Sequence, residues 1–229
     1  LYSSHRIISP MTNKGPSVYG PPTGKRVSVR TIADCFVQDG MITREWLIRD
    51  TLPIVTQLGL DPLEIAKQQR QGLSGTTHEY HQSELARTTS ESTHQSVHWA
   101  EQALSARWTG SNDIERFFAP YAVSYPGPLA WLSGRDAIKH HGMATLGGLQ
   151  PSSVRVDHVA TQPWGHEGGE MAVRRTVTAE HSGPYLGLKP KTEQRVAILG
   201  SVHWRIVDGK IATEWLVFDA MGVLAQLID

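Results

Sequence analysis

Apolar and polar positions follow two periods along this chain, one of two residues and one helical, and the same succession of them occurs twice. Residues 27–37 and 196–207 are rich in β-branched and apolar side chains, as strands are. Each run meets an Asp-Gly pair, the signal of a tight hairpin, and residues 41–49 and 210–218 return as the partner strands. Beyond each hairpin, Leu52, Val55 and Leu58, and again Met221, Leu224 and Leu227, have the spacing of one apolar helical face. Asp50 and Asp219 precede those helices, where an N-cap belongs.

Upstream of the second hairpin, residues 96–108 and 113–119 read as helices, with Val97, Leu104, Ile114 and Phe117 among the expected buried positions. A short extended stretch at 121–125 and a helix at 135–143 follow, then strands at 153–161 and 170–180. Helices first, antiparallel strands next and a short helix last predict an α+β unit, a curved sheet wrapped on one face by helices.

The two hairpins match without a gap. Laying Asp39-Gly40 on Asp208-Gly209 puts Arg26 on Arg195, Ile42 on Ile211, Glu45-Trp46-Leu47 on Glu214-Trp215-Leu216, Asp50 on Asp219 and Gln57-Leu58 on Gln226-Leu227. The match runs from Thr23 to Leu58 and predicts a duplication. In the first unit, residues 1–10 read as a strand equivalent to 173–178, so its opening helices are absent. The expected organisation is a C-terminal part of a first unit at 1–70, a polar linker rich in Ser, Thr, Gln and Gly at 71–93, and a complete second unit at 94–229.

Composition narrows the function classes. Hydrophobic residues at 39 % allow each unit a core. A formal net charge of +0 removes the electrostatic case for nucleic acid or an anionic membrane. No apolar run approaches the roughly 20 residues of a bilayer helix. The lone Cys35 forms no intrachain disulfide and fits a reducing cytoplasm. There is no signal-peptide pattern, although a chain opening on Leu1 is expected to be trimmed.

Two segments of the second unit carry a resemblance. His181-Ser182-Gly183-Pro184-Tyr185-Leu186-Gly187-Leu188 resembles the His-Thr-Gly-Pro-Phe-Leu-Gly loop of the SnoaL-like (nuclear-transport-factor-2-like) superfamily, and residues 206–219 are similar to its hairpin signature. The first unit resembles it over about residues 3–61, with 19–26 as the loop. The resemblance implies a cone-shaped sheet whose mouth holds a small ligand. It also implies cofactor-free chemistry of the cyclase or isomerase kind, in which a carboxylate removes a proton beside a carbonyl and donors hold the enolate. The cyclases carry Asp directly after the hairpin Trp and His on the preceding strand. Those positions here are Leu216 and Val202, and Leu47 and Ala33 in the first unit, so authentic aldol closure is not expected.

The remaining candidates follow from placement. Glu214 and Glu45 are carboxylates inside strands, where Glu is disfavoured. A three-residue hairpin loop would put Glu214 on the face of Val202, Trp204 and Leu216, whereas a two-residue loop would put it beside His203. Glu214 is the candidate base, with His203 or His181 polarising the substrate and Asp219 as an acid at the cone's rim. The plainer roles are a solvated or ion-paired strand Glu, structural histidines and a helix cap. Trp204, Phe218, Arg174 and Glu45 are candidate ligand contacts; of the adjacent Arg174 and Arg175, either of which could hold a carboxylate or carbonyl, the outward one is ordinarily solvated, and the tryptophans serve equally well as core. His78 with His81, and His94 with His98, lack a third ligand at recognised spacing, so no metal is expected, and no phosphate loop or dinucleotide fingerprint calls for a cofactor. The expected partner is an apolar carbonyl-bearing ligand. The competing expectation is a non-catalytic module whose duplicated sheet serves assembly, as a homodimer or as its mimic within one chain.

Overall fold

The computed structural model describes residues 1–72, 75–87, 94–164, 168–190 and 194–228. Strands β1 (Tyr2–Thr12), β2 (Arg26–Gln38) and β3 (Met41–Arg49) form an antiparallel three-stranded sheet, followed by helices α1 (Leu52–Leu58), α2 (Pro62–Gly72) and α3 (Gly75–Ala86). Then come α4 (Val97–Thr109), α5 (Ile114–Phe117), β4 (Phe118–Tyr125), β5 (Leu132–Ser133) and α6 (Arg135–Leu146). Four long strands β6 (Leu149–Trp164), β7 (Gly168–His181), β8 (Arg195–Val207) and β9 (Lys210–Phe218) lead to α7 (Ala220–Leu227). The second sheet has six strands in the order β5-β4-β9-β8-β7-β6, all antiparallel except β4 with β9. This is the expected α+β class.

Both hairpins turn on the same geometry. Asp39 and Gly40 have φ of 51° and 75°, Asp208 and Gly209 have 50° and 70°, so each is a two-residue turn in the left-handed region. Each returning strand then carries one extra residue, Thr43 or Ala212, at the register shifts between Phe36 and Val37 and between Arg205 and Ile206. The bulge turns the following side chains over. Cys35 therefore pairs with Glu45, and Trp204 with Glu214, on the face that a longer loop would have given them. The helices behind the hairpins are tied down alike. Gln57 accepts from Ser28 N at 2.9 Å and donates to Ser28 O at 2.8 Å, while Gln226 accepts from Ala197 N at 2.9 Å and donates to Ala197 O at 3.0 Å.

The six-stranded sheet is covered on both faces. On its inner face Val173, Arg175, Val177, Val202, Trp204, Glu214 and Leu216 meet α4 and α6 in the main core. On its outer face Arg174, His203 and Trp215 meet the three-stranded sheet, which leaves its own far side less covered. There α1 packs Ile54 and Leu58 on Val27 and Val29, but Leu47, in the register position of Leu216, stays 44 % exposed.

Within the expected polar linker at 71–93, α3 occupies residues 75–86 and docks on the sheet. The anchor is charge rather than an apolar stripe. Buried Glu84 takes Arg155 through an ion pair, Arg155 Nη1 donates to Glu84 O at 3.0 Å, and Thr176 Oγ1 donates to Asp157 Oδ2 at 2.9 Å beside them. Residues 73–74, 88–93 and the side chain of His78 lie outside the described part. The N-cap of α1 is Thr51, not Asp50, although Asp50 Oδ1 accepts from Leu52 N at 3.2 Å. Among the described residues no helix is long and apolar enough to cross a membrane.

Candidate functional site

The inner face of the six-stranded sheet holds a buried polar cluster. Glu214, in mid-β9, is 0 % exposed. Its Oε1 accepts from Arg107 Nε at 3.1 Å and from Ser124 Oγ at 2.7 Å, and its Oε2 accepts from Trp204 Nε1 at 3.2 Å. Arg107 reaches it from α4 and Ser124 from β4, so three elements converge on one carboxylate. Arg107 also lies 3.4 Å from His141 Nδ1 through Nη2, and burial, then Arg107, lower the His141 pKa.

A second guanidinium shares this interior. Arg175 of β7 is 1 % exposed, and its Nη1 donates to Ile198 O at 2.9 Å. Burial brings its pKa down to about 9, with Glu214 opposing and Arg107 reinforcing the shift. Gly200 stands opposite Arg175 on β8, and the guanidinium lies flat across it where any Cβ would collide. Gly142 of α6 likewise lets Arg107 pass, since a Cβ there would meet the Arg107 carbonyl oxygen. The indole of Trp108 lies close to both arginines, 5.4 Å from the Arg107 guanidinium and 5.0 Å from that of Arg175. Trp108 also forms one wall of a surface crevice of about 300 Å³ lined by Met143, Leu146 and Leu149.

The other predicted residues are dispersed. His203 points to the outer face, where its Nε2 lies 2.7 Å from Ser4 Oγ, so it does not join Glu214. Burial, then Arg6, hold its pKa down at about 4. His181 is buried at the far end of β7 with no hydrogen-bond partner on either ring nitrogen. Trp204 and Phe218 face inward, in T-shaped contact with Trp99 at 5.7 Å and Trp108 at 5.9 Å. Arg174 is on the outer face, donating through Nε to Asp34 Oδ2 at 3.2 Å, with its guanidinium 4.1 Å from the Trp46 ring centre. It is Arg175, one residue on, that faces the buried interior. Glu45 is exposed on the first sheet.

Asp219 is the N-cap of α7, accepting from Gly222 N at 2.9 Å, and its pKa is raised by burial. It also lines a cavity of about 420 Å³ between the two sheets' helices, with Tyr19, Arg49, Gln69 and His81. The nearby Asp50 is pushed up to about 7 by burial, with Asp219 adding to the shift. Among the described residues no group of three or more His, Cys, Asp or Glu side chains is placed to hold a metal.

Sequence reasoning missed Arg107 and Ser124 as partners of Glu214. A signal for Arg107 exists: it falls on the stripe of Ala100, Ala103 and Leu104, where an arginine is out of place. Val202 and Leu216 stand directly opposite each other on β8 and β9, buried as an apolar pair.

The chain was also compared with known proteins. No curated protein matches it. Among solved structures it is similar to AclR from Streptomyces galilaeus, at 25 % identity over 55 % of this chain and 76 % of that one, TM-score 0.42. TsrD from Streptomyces laurentii is similar at 24 % identity over 60 % and 98 %, TM-score 0.43. A LEH-like epoxide hydrolase from M. tuberculosis is similar at 15 % identity over 61 % and 89 %, TM-score 0.42. The profile of the SnoaL-like polyketide cyclases matches residues 95–227, more than half of the chain, and the chain belongs to that family.

Proposed function

We propose that this protein binds a small apolar, carbonyl-bearing molecule within the cone of residues 94–229 and moves a proton at the carbon beside the carbonyl, without metal or cofactor, as a cyclase or isomerase does. The observation that carries this reading is the Glu214 carboxylate, shut off from solvent among the donors Arg107, Ser124 and Trp204. In the proposed step Glu214 takes a proton from the carbon, and the electron pair moves to the carbonyl oxygen. The surrounding N–H groups hold the enolate, and the carboxyl returns the proton to the same or a conjugated carbon. With Val202 and Leu216 apolar, the usual aldol pair is missing, so proton transfer rather than aldol closure is the expected chemistry.

The test is deuterium exchange. β-Tetralone in deuterium oxide should lose its α-protons faster with the protein than without it, read by proton NMR. Glu214→Gln should abolish the acceleration while circular dichroism reports whether the variant is folded. Arg107→Met/Glu214→Gln, which removes both charges together, serves if the single variant unfolds. Equal exchange with and without the wild-type protein would end the catalytic reading.

A second reading concerns assembly. We infer that residues 1–70 are the C-terminal part of a first SnoaL-like unit, incomplete within this chain, docked on the second as two protomers dock. Reciprocal contacts between the sheets support it. Arg6 and Arg174 occupy equivalent register positions, opposite Ile32 and Ser201, and each lies over the other sheet's hairpin tryptophan, Trp215 at 3.9 Å and Trp46 at 4.1 Å. Exchange of equivalent contacts is the mark of a two-fold interface. The net charge of +0 and the single buried thiol of Cys35 fit a cytoplasmic protein that binds neither nucleic acid nor membrane.

A further inference from the structure

Resting on the cone as the ligand site, we propose that its ligand is an organic anion, and that Arg175, Arg107 and Trp108 receive its carboxylate. Two arginines and one carboxylate share an interior closed to solvent. Glu214 is spent on Arg107, Ser124 and Trp204, so the cluster retains one uncompensated positive charge. Charges so deeply buried are ordinarily paired.

The free donors have a definite shape. Arg175 uses only Nη1, toward Ile198 O, and its Nε and Nη2 have no hydrogen-bond partner. Those two N–H groups form the lateral edge of the guanidinium, the fork that meets a carboxylate with two parallel bonds. Arg107 Nη1 and the indole Nε1 of Trp108 are likewise buried and without partner. Donors on three neighbouring side chains thus go without a protein acceptor around one indole, where buried polar groups are ordinarily satisfied.

The sequence makes room for this at some cost. Gly200 and Gly142 are the positions at which a side chain would expel the guanidinium of Arg175 or the turn of α4 bearing Arg107. The approach is also visible. Trp108 lines the crevice beside Met143 and Leu149, and its ring centre lies 5.4 and 5.0 Å from the guanidiniums of Arg107 and Arg175. An aromatic or alicyclic acid could lay its apolar body among these residues and present its carboxylate to the arginines.

Calorimetric titration of the wild-type protein with benzoate and naphthoate, against benzamide and naphthamide, tests this. The acids should bind about tenfold or more tightly than their neutral amides, a difference set by the charge-assisted fork. Arg175→Lys keeps the charge but removes the fork, and should lose most of that preference while its unfolding remains cooperative. If the Lys variant does not fold, Trp108→Phe, which removes one donor and little volume, should weaken acid binding without affecting the amides. Equal affinity for acid and amide, undiminished acid binding in Arg175→Lys, or no binding of either acid would overturn the proposal. Exchange of β-tetralone protons without carboxylate binding would discard the anion and leave the cone reading intact, whereas acid binding without exchange would do the reverse to catalysis.

Discussion

Arg6 of the first sheet stands with its guanidinium 3.9 Å from the ring centre of Trp215 in the second. Arg174, in the equivalent register position, stands 4.1 Å from that of Trp46 and shares Asp34 with His158. The two sheets therefore meet through stacked cations and ion pairs more than through an apolar seam. Replacing Arg6 with Ala should cost about 0.5–2 kcal/mol, the range for a partly desolvated cation–π contact. Arg174→Ala should cost more, because it also strips Asp34 of one cation in a buried setting. Urea denaturation of the two variants, each paired with the cognate Trp→Leu change in a double-mutant cycle, measures this. Coupling energies near zero at both pairs would show that the contacts do not hold the sheets together.

Titration of two buried groups should give opposing pH slopes. His203 is held down at about 4, against about 6.5 when unfolded, so between those values the unfolded chain takes up a proton that the folded one refuses. That contribution destabilises as pH falls. Asp50 is raised to about 7, so from about pH 4 upward the unfolded carboxyl ionises before the folded one does, and its contribution destabilises as pH rises. His203→Gln should flatten the acid limb of thermal stability, and Asp50→Asn should raise stability mainly above pH 7. Melting temperatures across this range check both, and a variant profile parallel to the wild type would refute the assignment for that residue.

The sheet junction also predicts the state of assembly. The outer face of the six-stranded sheet is already occupied by the chain's own first sheet, which leaves it closed to a second copy. Sedimentation equilibrium should return the monomer mass. A stable dimer would require another surface, such as the side of the first sheet where Leu47, Ile7 and Met11 remain exposed.

What the sequence disclosed, and what it withheld, divides along physical lines. The hairpins were legible because Asp-Gly fixes a turn and the Glu-Trp-Leu triplets repeat. The face of Glu214 was not, because a tight two-residue turn followed by a bulge at Ala212 gives the outcome of a longer loop. Arg174 and Arg175 could not be told apart, since adjacent strand residues differ only in parity and parity depends on bulges upstream. Nor would an outward arginine be read as buried unless the sheet packed on it were foreseen. Helix α3 was hidden for another reason: it docks through Glu84 and Arg155, and a charged anchor leaves no apolar periodicity to read.

Close approach of α4 and α6 depends on Gly142. A methyl group there would run into the carbonyl oxygen of Arg107, a backbone atom that moves only with its helix. Gly142→Ala should therefore cost about 1–3 kcal/mol by overpacking, despite the better helix propensity of alanine. At Gly200 the added methyl meets a side chain rather than backbone, so Gly200→Ala should cost less while displacing Arg175. Denaturation midpoints of the two variants rank them, and a neutral or stabilising Gly142→Ala would show that the helices can part without loss.

The sharpest prediction concerns the buried ion pair on the inner face of the six-stranded sheet. Arg107 and Glu214 are both 0 % exposed and joined at 3.1 Å, so removing either leaves the other charged in a closed interior. Glu214→Leu alone should cost about 3–5 kcal/mol, and Arg107→Met alone a similar amount. The double variant should recover much of that loss, because apolar side chains of similar volume often replace a buried ion pair at little net cost. Recovery will be incomplete if Ser124 and Trp204, which also donate to Glu214, are left without an acceptor. A double-mutant cycle by urea denaturation separates the terms. Full recovery of stability together with loss of proton exchange would mean that the ion pair is retained for function rather than for folding. Additive losses in the double variant would instead mean that the two side chains act on stability independently, and Glu214 would then owe its position to Ser124 and Trp204 rather than to Arg107.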